Sequence, residues 1–345
     1  MNFTPEKEDI RFMRLALREA RKGWGSTSPN PLVGAVIVRD GVILGKGYHV
    51  RAGEGHAEVN AIASCAGKDL KGATIYVTLE PCCTRGRTPA CTDAIVRSGI
   101  HRVVFGCADP NPKHALRAVE ILRRQGVEVS YPVCEKECQR LNEVFFHWIT
   151  TGKPYVLLKM AQTLDGKTAT ACGHSQWITG KAARQRVQHL RKRADAVMAG
   201  VETFRKDSPR FTVRSASGKV LKTPRRIIVT HHPEQYEKAG FEFVNLPSPE
   251  DWDRYLLELG RQGVTALLLE GGGSLAASAL KARAVNRVEF HTAPKLLGGV
   301  HSRTSLDGPD PLTLEEAVFL EEVEVRFLGK DLLYSAKVVY DQAKE

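Results

Sequence analysis

Residues 56–91 read HAEVNAIASCAGKDLKGATIYVTLEPCCTRGRTPAC. The stretch opens on His56 and Glu58 and closes on Cys82, Cys83 and Cys91. Between these ends, residues 74–79 (TIYVTL) are β-branched, aromatic or aliphatic, which predicts a buried strand. Ala57, Val59, Ala61 and Ile62 make the segment after His56 a helix, and residues 91–98 form another. A histidine and a cysteine at helix starts, with a second cysteine beyond a strand end, place three donor atoms where they can converge.

One imidazole and two thiolates, from His56, Cys82 and Cys91, leave one position open on a tetrahedral ion, the catalytic form of a zinc site. Zinc lowers the pKa of its bound water towards ~7, and a neighbouring carboxylate such as Glu58 can pass the released proton to a leaving amine. The helix dipole favours thiolate at Cys91. The signature of zinc nucleobase deaminases is H-x-E followed by P-C-x-x-C. HAE and Pro81-Cys82 match it, but the second cysteine comes nine residues after Cys82. Cys83 lies beside Cys82, and spacing favours Cys82 as the ligand. The bland alternative, buried cysteines and a surface histidine, leaves three crowded thiols without a purpose.

Outward from this stretch, strands and helices alternate. Upstream, residues 9–22 place Ile10, Met13, Leu17 and Ala20 on one helical face. Apolar runs at 33–38 and 42–44, joined by Asp40-Gly41, predict a hairpin. Downstream come a strand at 102–105, a helix at 116–125, a strand at 127–129 and one helix over 135–150. This is an α/β layered domain. TGKPY at 151–155 marks a junction, so the expected domains are 1–150 and 151–345. In the second, strands are expected at 155–159, 194–199, 226–229, 266–269, 287–291 and 332–339, and helices at 180–192, 251–262 and 274–283. In LLLEGGGSL a strand ends at Glu270, three glycines permit close backbone approach, and Ser274 opens a helix whose amides suit a phosphate. Neither the P-loop nor the GxGxxG pattern is present, and a sharp glycine turn alone would look the same.

Composition narrows the classes. The 345 residues are 42% hydrophobic and 26% charged, which fits two globular domains with ample core. No apolar run approaches the ~20 residues of a bilayer span, so no membrane partner is expected. The start, MNFTPEKEDIRF, carries acids and has no apolar core, so cytoplasm is the default compartment. Eight cysteines in such a chain are not expected to form a disulfide framework, and Cys134 and Cys138, at helical spacing, read as packing thiols. The net charge of +11 favours an anionic partner, either nucleic acid or a phosphorylated small molecule. The basic runs are short and scattered.

TSPNPLVGAVIV, HAEVNAI and LEPCCTRGRTPAC resemble the deaminase half of the bifunctional riboflavin-biosynthesis deaminase–reductases, whose fold is similar to that of cytidine deaminases. LLKMAQTLDGKTAT, ACGHSQWITG, AGVETFRKDSPRFTVR and LLLEGGGSL resemble the reductase half, which is similar in fold to dihydrofolate reductase and uses NADPH. Together they cover about residues 8 to 340. The resemblance implies a cytidine-deaminase-like three-layer α/β/α domain followed by a dihydrofolate-reductase-like α/β domain. It implies zinc on His56, Cys82 and Cys91, with Glu58 as proton shuttle. It places Asn30, His49 and Arg87 on the pyrimidine or ribose phosphate. In the second half it places NADPH near Ala161, Trp177, Thr203, Asp207, Gly271, Gly272, Gly273 and Ser274, and substrate near Lys159, Ser175, Arg191, Arg214 and Glu270. The chain departs from the family pattern at Cys83, where serine is common, and at Ala90, where proline is usual.

Taken without the resemblance, several of these residues have plainer readings. Asn30 between two prolines is a turn former, His49 caps a strand end, and Arg87 is a loop charge. Arg191 is an exposed helical charge and Trp177 a core residue. Lys159, inside an apolar strand, needs a partner, which substrate or Asp165 could supply. The implied function is hydrolytic deamination of a phosphorylated pyrimidine followed by NADPH-dependent reduction of its ribosyl chain to ribityl. The rival is a zinc-dependent tRNA base deaminase with an accessory domain; scattered basic runs and a reductase-like half argue against a nucleic-acid partner. Related enzymes assemble as dimers or larger, so a homo-oligomer is expected.

Overall fold

Asp40 and Gly41 both take positive φ, 51° and 72°, as a two-residue hairpin turn of this twist requires. Strand β1 (Gly34–Arg39) therefore folds back on β2 (Val42–Tyr48). The computed structural model describes residues 5–84, 89–111, 114–215 and 217–340, and the chain divides into two compact units, Met1–Gly152 and Lys153–Glu345.

In the first unit, the other elements are α1 (Lys7–Ala20), α2 (Ala57–Ala63), β3 (Thr74–Val77), α3 (Cys91–Arg97), β4 (Arg102–Phe105), α4 (Arg117–Arg124), β5 (Glu128–Ser130), α5 (Glu135–Leu141) and α6 (Glu143–Thr151). The sheet order is β2-β1-β3-β4-β5. β1 is antiparallel to β2 and β3, whereas β3, β4 and β5 run parallel. One face packs Ile37, Ile75, Val77 and Phe105 with Ala57, Ala61, Ile95 and Leu122 of α2, α3 and α4. The other packs Val36, Val38 and Val104 with Phe12, Met13 and Leu17 of α1 and with Cys138 and Leu141 of α5. The result is three layers. Residues that alternate along each strand serve opposite cores, which is why the strands read as continuous apolar runs. A Cβ at Gly47 would lie 2.3 Å from the Ala61 nitrogen, so only glycine lets α2 sit flush on β2.

The sequence predicts one helix over 135–150; the structure has two, broken at Asn142. That side chain is buried and accepts from Leu32 N (2.8 Å) while donating to Leu32 O (2.9 Å). These two bonds clamp the loop that carries Asn30.

The second unit contains β6 (Tyr155–Thr163), β7 (Lys167–Ala169), α7 (Lys181–Arg193), β8 (Ala196–Gly200), α8 (Val201–Asp207), β9 (Val213–Arg214), β10 (Val220–Lys222), β11 (Arg225–Val229), β12 (Glu242–Val244), α9 (Pro249–Arg261), β13 (Ala266–Glu270), α10 (Gly273–Lys281), β14 (Arg287–Ala293), β15 (Arg303–Thr304), β16 (Phe319–Leu328) and β17 (Asp331–Val339). Eight strands form one sheet in the order β12-β11-β8-β13-β6-β14-β17-β16. The first six are parallel, β17 runs antiparallel to β14, and β16 runs antiparallel to β17. α9 and α10 cover one face through Trp252, Leu256, Leu259, Leu275 and Ala279. On the other, Leu190 of α7 meets Val197, Ala199 and Leu268. β16 is an element the sequence reading missed: FLEEVEVRFL is mostly exposed, and its Val325 and Phe327 are 56% and 75% accessible.

Candidate active sites

α2 and α3 bring the first site together. His56 is the residue that caps α2, Cys91 is the first residue of α3, and Cys82 follows the end of β3. His56 Nδ1 lies 3.2 Å from Cys91 Sγ and 3.4 Å from Cys82 Sγ, and all three donor atoms fall within 4.8 Å of one another. Bonds of about 2.3 Å from sulfur and 2.0–2.1 Å from nitrogen give a tetrahedral ion ligand edges of about 3.5 Å, so this donor triangle fits zinc. The Cys91 amide also points to Cys82 Sγ, at 3.4 Å. Cys83 is outside the triangle.

Glu58, in the first turn of α2, is buried beside the sulfurs. Burial, then the Cys82 sulfur, pushes its carboxyl up to about 7. The thiol of Cys82 is pulled down to about 4, first by donation from the Cys91 thiol and then by His56. A carboxyl that exchanges protons near neutrality and a sulfur held as thiolate are what hydrolytic metal chemistry requires.

His49 and Asn30 form the neighbouring wall. His49 Nδ1 is 3.2 Å from the Gly55 carbonyl, which can only accept, so Nδ1 carries the proton. Nε2 then accepts from Asn30 Nδ2 at 3.0 Å. Burial lowers the His49 pKa, favouring the neutral ring. The His49 and His56 rings meet edge to face at 5.4 Å. Arg87 lies outside the described residues. One positioning residue escaped the sequence reading: buried Glu80, two residues before Cys82, accepts from the amides of Asp109 (3.1 Å), Leu116 (2.8 Å) and Ala118 (3.0 Å). Its only sequence signal is adjacency to Pro81-Cys82.

The second site is a cleft of about 1100 Å³ at the carboxyl ends of the parallel strands, larger than the usual ~300–1,000 Å³ of a single small-ligand pocket. Lys159 and Ala161 of β6, Glu270 at the end of β13, and Arg191 of α7 line it. So do Ser175, Trp177, Thr203, Asp207 and Arg214. Gly271, Gly272, Gly273 and Ser274 form the turn into α10 along its wall. A side chain at Gly272 would meet open space, so its bare backbone faces the cleft and suits a diphosphate next to a helix start. Room for two ligands and this cradle fit a dinucleotide beside a substrate.

Charges in the cleft are already arranged. Arg191 grips Glu270 with two bonds, 2.7 Å from Nε and 2.9 Å from Nη2, so its fork is engaged by protein rather than open to an anion. Burial opposes both charges, yet their mutual attraction raises the arginine and lowers the glutamate. Asp165 is not the partner of Lys159: its carboxylate accepts from Leu297 N (3.1 Å) and Gly298 N (2.7 Å). Lys159 instead pairs in register with Glu270 on one side and Glu289 on the other. Trp177 is 64% exposed rather than core, with the Arg184 guanidinium 4.6 Å over its ring. Asp207 accepts from Gln176 Nε2 at 3.2 Å. Arg184 is a cleft residue the sequence reading missed, because one more arginine on a basic helix carries no distinguishing pattern.

Comparison with known proteins agrees with both halves. Residues 154–334 match the model of the RibD C-terminal domain, and residues 6–107 match the cytidine and deoxycytidylate deaminase zinc-binding region. The riboflavin biosynthesis protein RibD of Actinobacillus pleuropneumoniae is 41% identical, over 96% of each chain. The chain belongs to the RibD family. The Aquifex aeolicus RibD is 42% identical over 94% of this chain and 97% of its own. A solved Acinetobacter baumannii RibD superposes with a TM-score of 0.86 at 35% identity, covering 97% of this chain and 99% of that one. A Thermotoga maritima diaminohydroxyphosphoribosylaminopyrimidine deaminase/5-amino-6-(5-phosphoribosylamino)uracil reductase does so at 0.86 and 34%, covering 96% and 99%. As a member of that family, the chain is a bifunctional enzyme of riboflavin biosynthesis, a zinc-dependent deaminase and an NADPH-dependent reductase. No helix among the described residues is long and apolar enough to cross a membrane.

Proposed function

We propose that the first unit deaminates 2,5-diamino-6-(5-phosphoribosylamino)pyrimidin-4-one and that the second reduces the ribosyl chain of the product to ribityl. One observation carries this reading: a single chain holds both a three-donor triangle beside a buried carboxylate and a cleft with room for two ligands. His56, Cys82 and Cys91 would hold a zinc ion, which would act as a Lewis acid and make water nucleophilic near neutral pH. Glu58 takes a proton from the attacking water and gives it to the amine, so water adds, the C–N bond breaks and ammonia leaves. Asn30, His49 and Arg87 orient the pyrimidine nucleotide. In the second unit bound NADPH would supply the hydride. Ala161, Trp177, Thr203, Asp207 and the turn from Gly271 to Ser274 hold the dinucleotide. Lys159, Ser175 and Arg214 hold the substrate, while Arg191 and Glu270 act as a fixed pair that shapes the floor. The 5-phosphate stays attached through both steps and gives the +11 charge a use without nucleic acid.

The accessible apolar face at Val325 and Phe327 supports a second copy of this chain as the partner of β16. Eight free cysteines support the cytoplasm as the compartment. The test is to assay the purified full chain for bound zinc, ammonia release from the diamino substrate and NADPH oxidation with the deaminated product. Ammonia release from tRNA, or NADPH oxidation absent with that product, overturns the reading.

A further inference from the structure

One face of the second sheet carries a row of charges of alternating sign. Glu270 on β13 sits opposite Lys159 on β6, and Lys159 sits opposite Glu289 on β14. Neighbouring strands are about 4.8 Å apart, so Lys159 stands between two carboxylates. α7 closes both ends: Arg191 binds Glu270, and Arg186 binds Glu289, with Nε 3.2 Å from Oε2 and a second bond from Nη2. His291, two residues along β14, is completely buried, with Nε2 3.4 Å from Glu289 Oε2. Lys159, Glu270 and Arg191 line the cleft, whereas Glu289, 4% exposed, and His291 lie under it.

The arrangement is unfavourable unless the charges serve one another, because an ion that leaves water without compensation loses its solvation. Arg191 already satisfies Glu270. Glu289 is held in the same way, by two bonds from Arg186 and a contact from His291, and faces Lys159 from β14. Burial lowers the Lys159 pKa while Glu270 and Glu289 raise it and Arg191 lowers it. An uncharged Lys159 would have a free lone pair and one fewer donor for an oxygen-rich, phosphorylated sugar.

We propose that Glu289 is a positioning residue for the reduction: clamped by Arg186 and His291, it keeps the Lys159 ammonium charged and directed into the cleft. The inference rests on the reading of Lys159 as a substrate contact. The groups that face Lys159 are Glu270 from β13, Glu289 and His291 from β14, and Arg191 from α7. Arg186 reaches Lys159 only through Glu289, so removing the carboxylate must lower the Lys159 titration and removing its clamp must lower it less.

The experiment follows Lys159 directly. Lysine labelled with carbon-13 at Cε is incorporated into the full chain, and the Lys159 resonance is assigned with Lys159→Met and titrated in wild type, Glu289→Gln, Glu289→Asp and Arg186→Gln. Reductase pH profiles are recorded in parallel. In Glu289→Gln the titration and the alkaline limb of the profile are expected to fall by about one pH unit or more. Both recover in Glu289→Asp, and both fall by a smaller step in Arg186→Gln, which keeps the carboxylate but frees it. A lost packing role would lower activity in each variant without moving the Lys159 titration. A Lys159 titration that stays put in Glu289→Gln and Arg186→Gln overturns the inference. A titration that moves while the profile does not supports the placement of Glu289 and overturns the reading of Lys159 as a substrate contact. Should Glu289→Gln fail to fold, Arg186→Gln decides alone: a fall in the Lys159 titration supports the inference, and no fall overturns it.

Discussion

The two sites of this chain are built on opposite plans. The deaminase site converges on a point: His56, Cys82 and Cys91 come from a cap, a loop and a helix start, and their donor atoms crowd within 4.8 Å. The reductase site spreads over a sheet face, where Lys159, Glu270 and Glu289 occupy one cross-strand row under α7. In the first, each protein charge is aimed at an ion the chain must acquire. In the second, the charges neutralise one another before any ligand arrives. A point site therefore fails completely when one donor is lost, whereas a distributed site degrades.

The sharpest test of that contrast is Glu58→Gln combined with chelation. Glutamine keeps the shape of the buried side chain but cannot carry a proton. Deamination is expected to fall about a thousandfold while zinc content and NADPH oxidation stay at wild-type levels. Removing zinc with a chelator should abolish ammonia release and leave the reductase untouched. A parallel loss of both activities would show that the two sites are not the independent constructions described above.

Glu270→Gln probes the distributed site. It leaves the half-buried Arg191 guanidinium without its bidentate partner and takes one of two carboxylates from Lys159. Reductase kcat/KM should fall about a hundredfold, equivalent to nearly 3 kcal/mol, with deaminase activity unchanged. A fall of less than threefold means that the Arg191–Glu270 pair contributes little to the reduction.

The point site was also the more legible one. His56, Glu58, Pro81, Cys82 and Cys91 declare themselves because few chemistries use that residue set at those spacings, and Asp40-Gly41 declares its hairpin because both residues must take positive φ. The row on the sheet was half legible. Lys159 stood out as a cation in an apolar strand, but Glu289 and His291 in RVEFHTA look like the solvent face of an ordinary alternating strand. Period-two spacing separates two faces without saying which one is buried, and only α7 overhead, with Arg186, makes that face interior. β16 shows the converse: Val323, Val325 and Phe327 alternate with Glu324 and Arg326 in a period-two pattern that announces a strand, yet the apolar side chains stay exposed at the sheet edge, so no core goes with it. The break at Asn142 depends on a partner 110 residues away, Leu32, which no local signal can name.

That break gives a prediction of intermediate size. Asn142→Leu keeps the volume but strands the Leu32 amide and carbonyl, both buried groups that cost about 1–3 kcal/mol each when unpaired. The first unit should lose about 3 kcal/mol in denaturant unfolding, and the KM of the deaminase should rise as the loop bearing Asn30 loosens. A stable variant with unchanged KM would mean that Asn30 is held by His49 alone.

The smallest expected effect concerns acid stability and sets the two plans against each other once more. Burial works against the Glu289 charge, but bonds from His291 and Arg186 prevail and hold its carboxyl down at about 2. A carboxyl whose folded value lies below its unfolded one adds stability at all pH values above the unfolded value, and that stability drains away as pH falls towards the folded value. The window here runs from about 4.5 down to about 2. Its full linkage is worth at most about 3 kcal/mol, and partial exposure of Arg186 brings the expectation nearer to 2. Thermal unfolding of the second unit should therefore weaken progressively across that window, and Glu289→Gln should flatten the slope there while lowering stability at neutral pH. If the acid slope is the same in both proteins, Glu289 is not held as an anion by Arg186 and His291, and the charge row loses the member that ties β14 to Lys159.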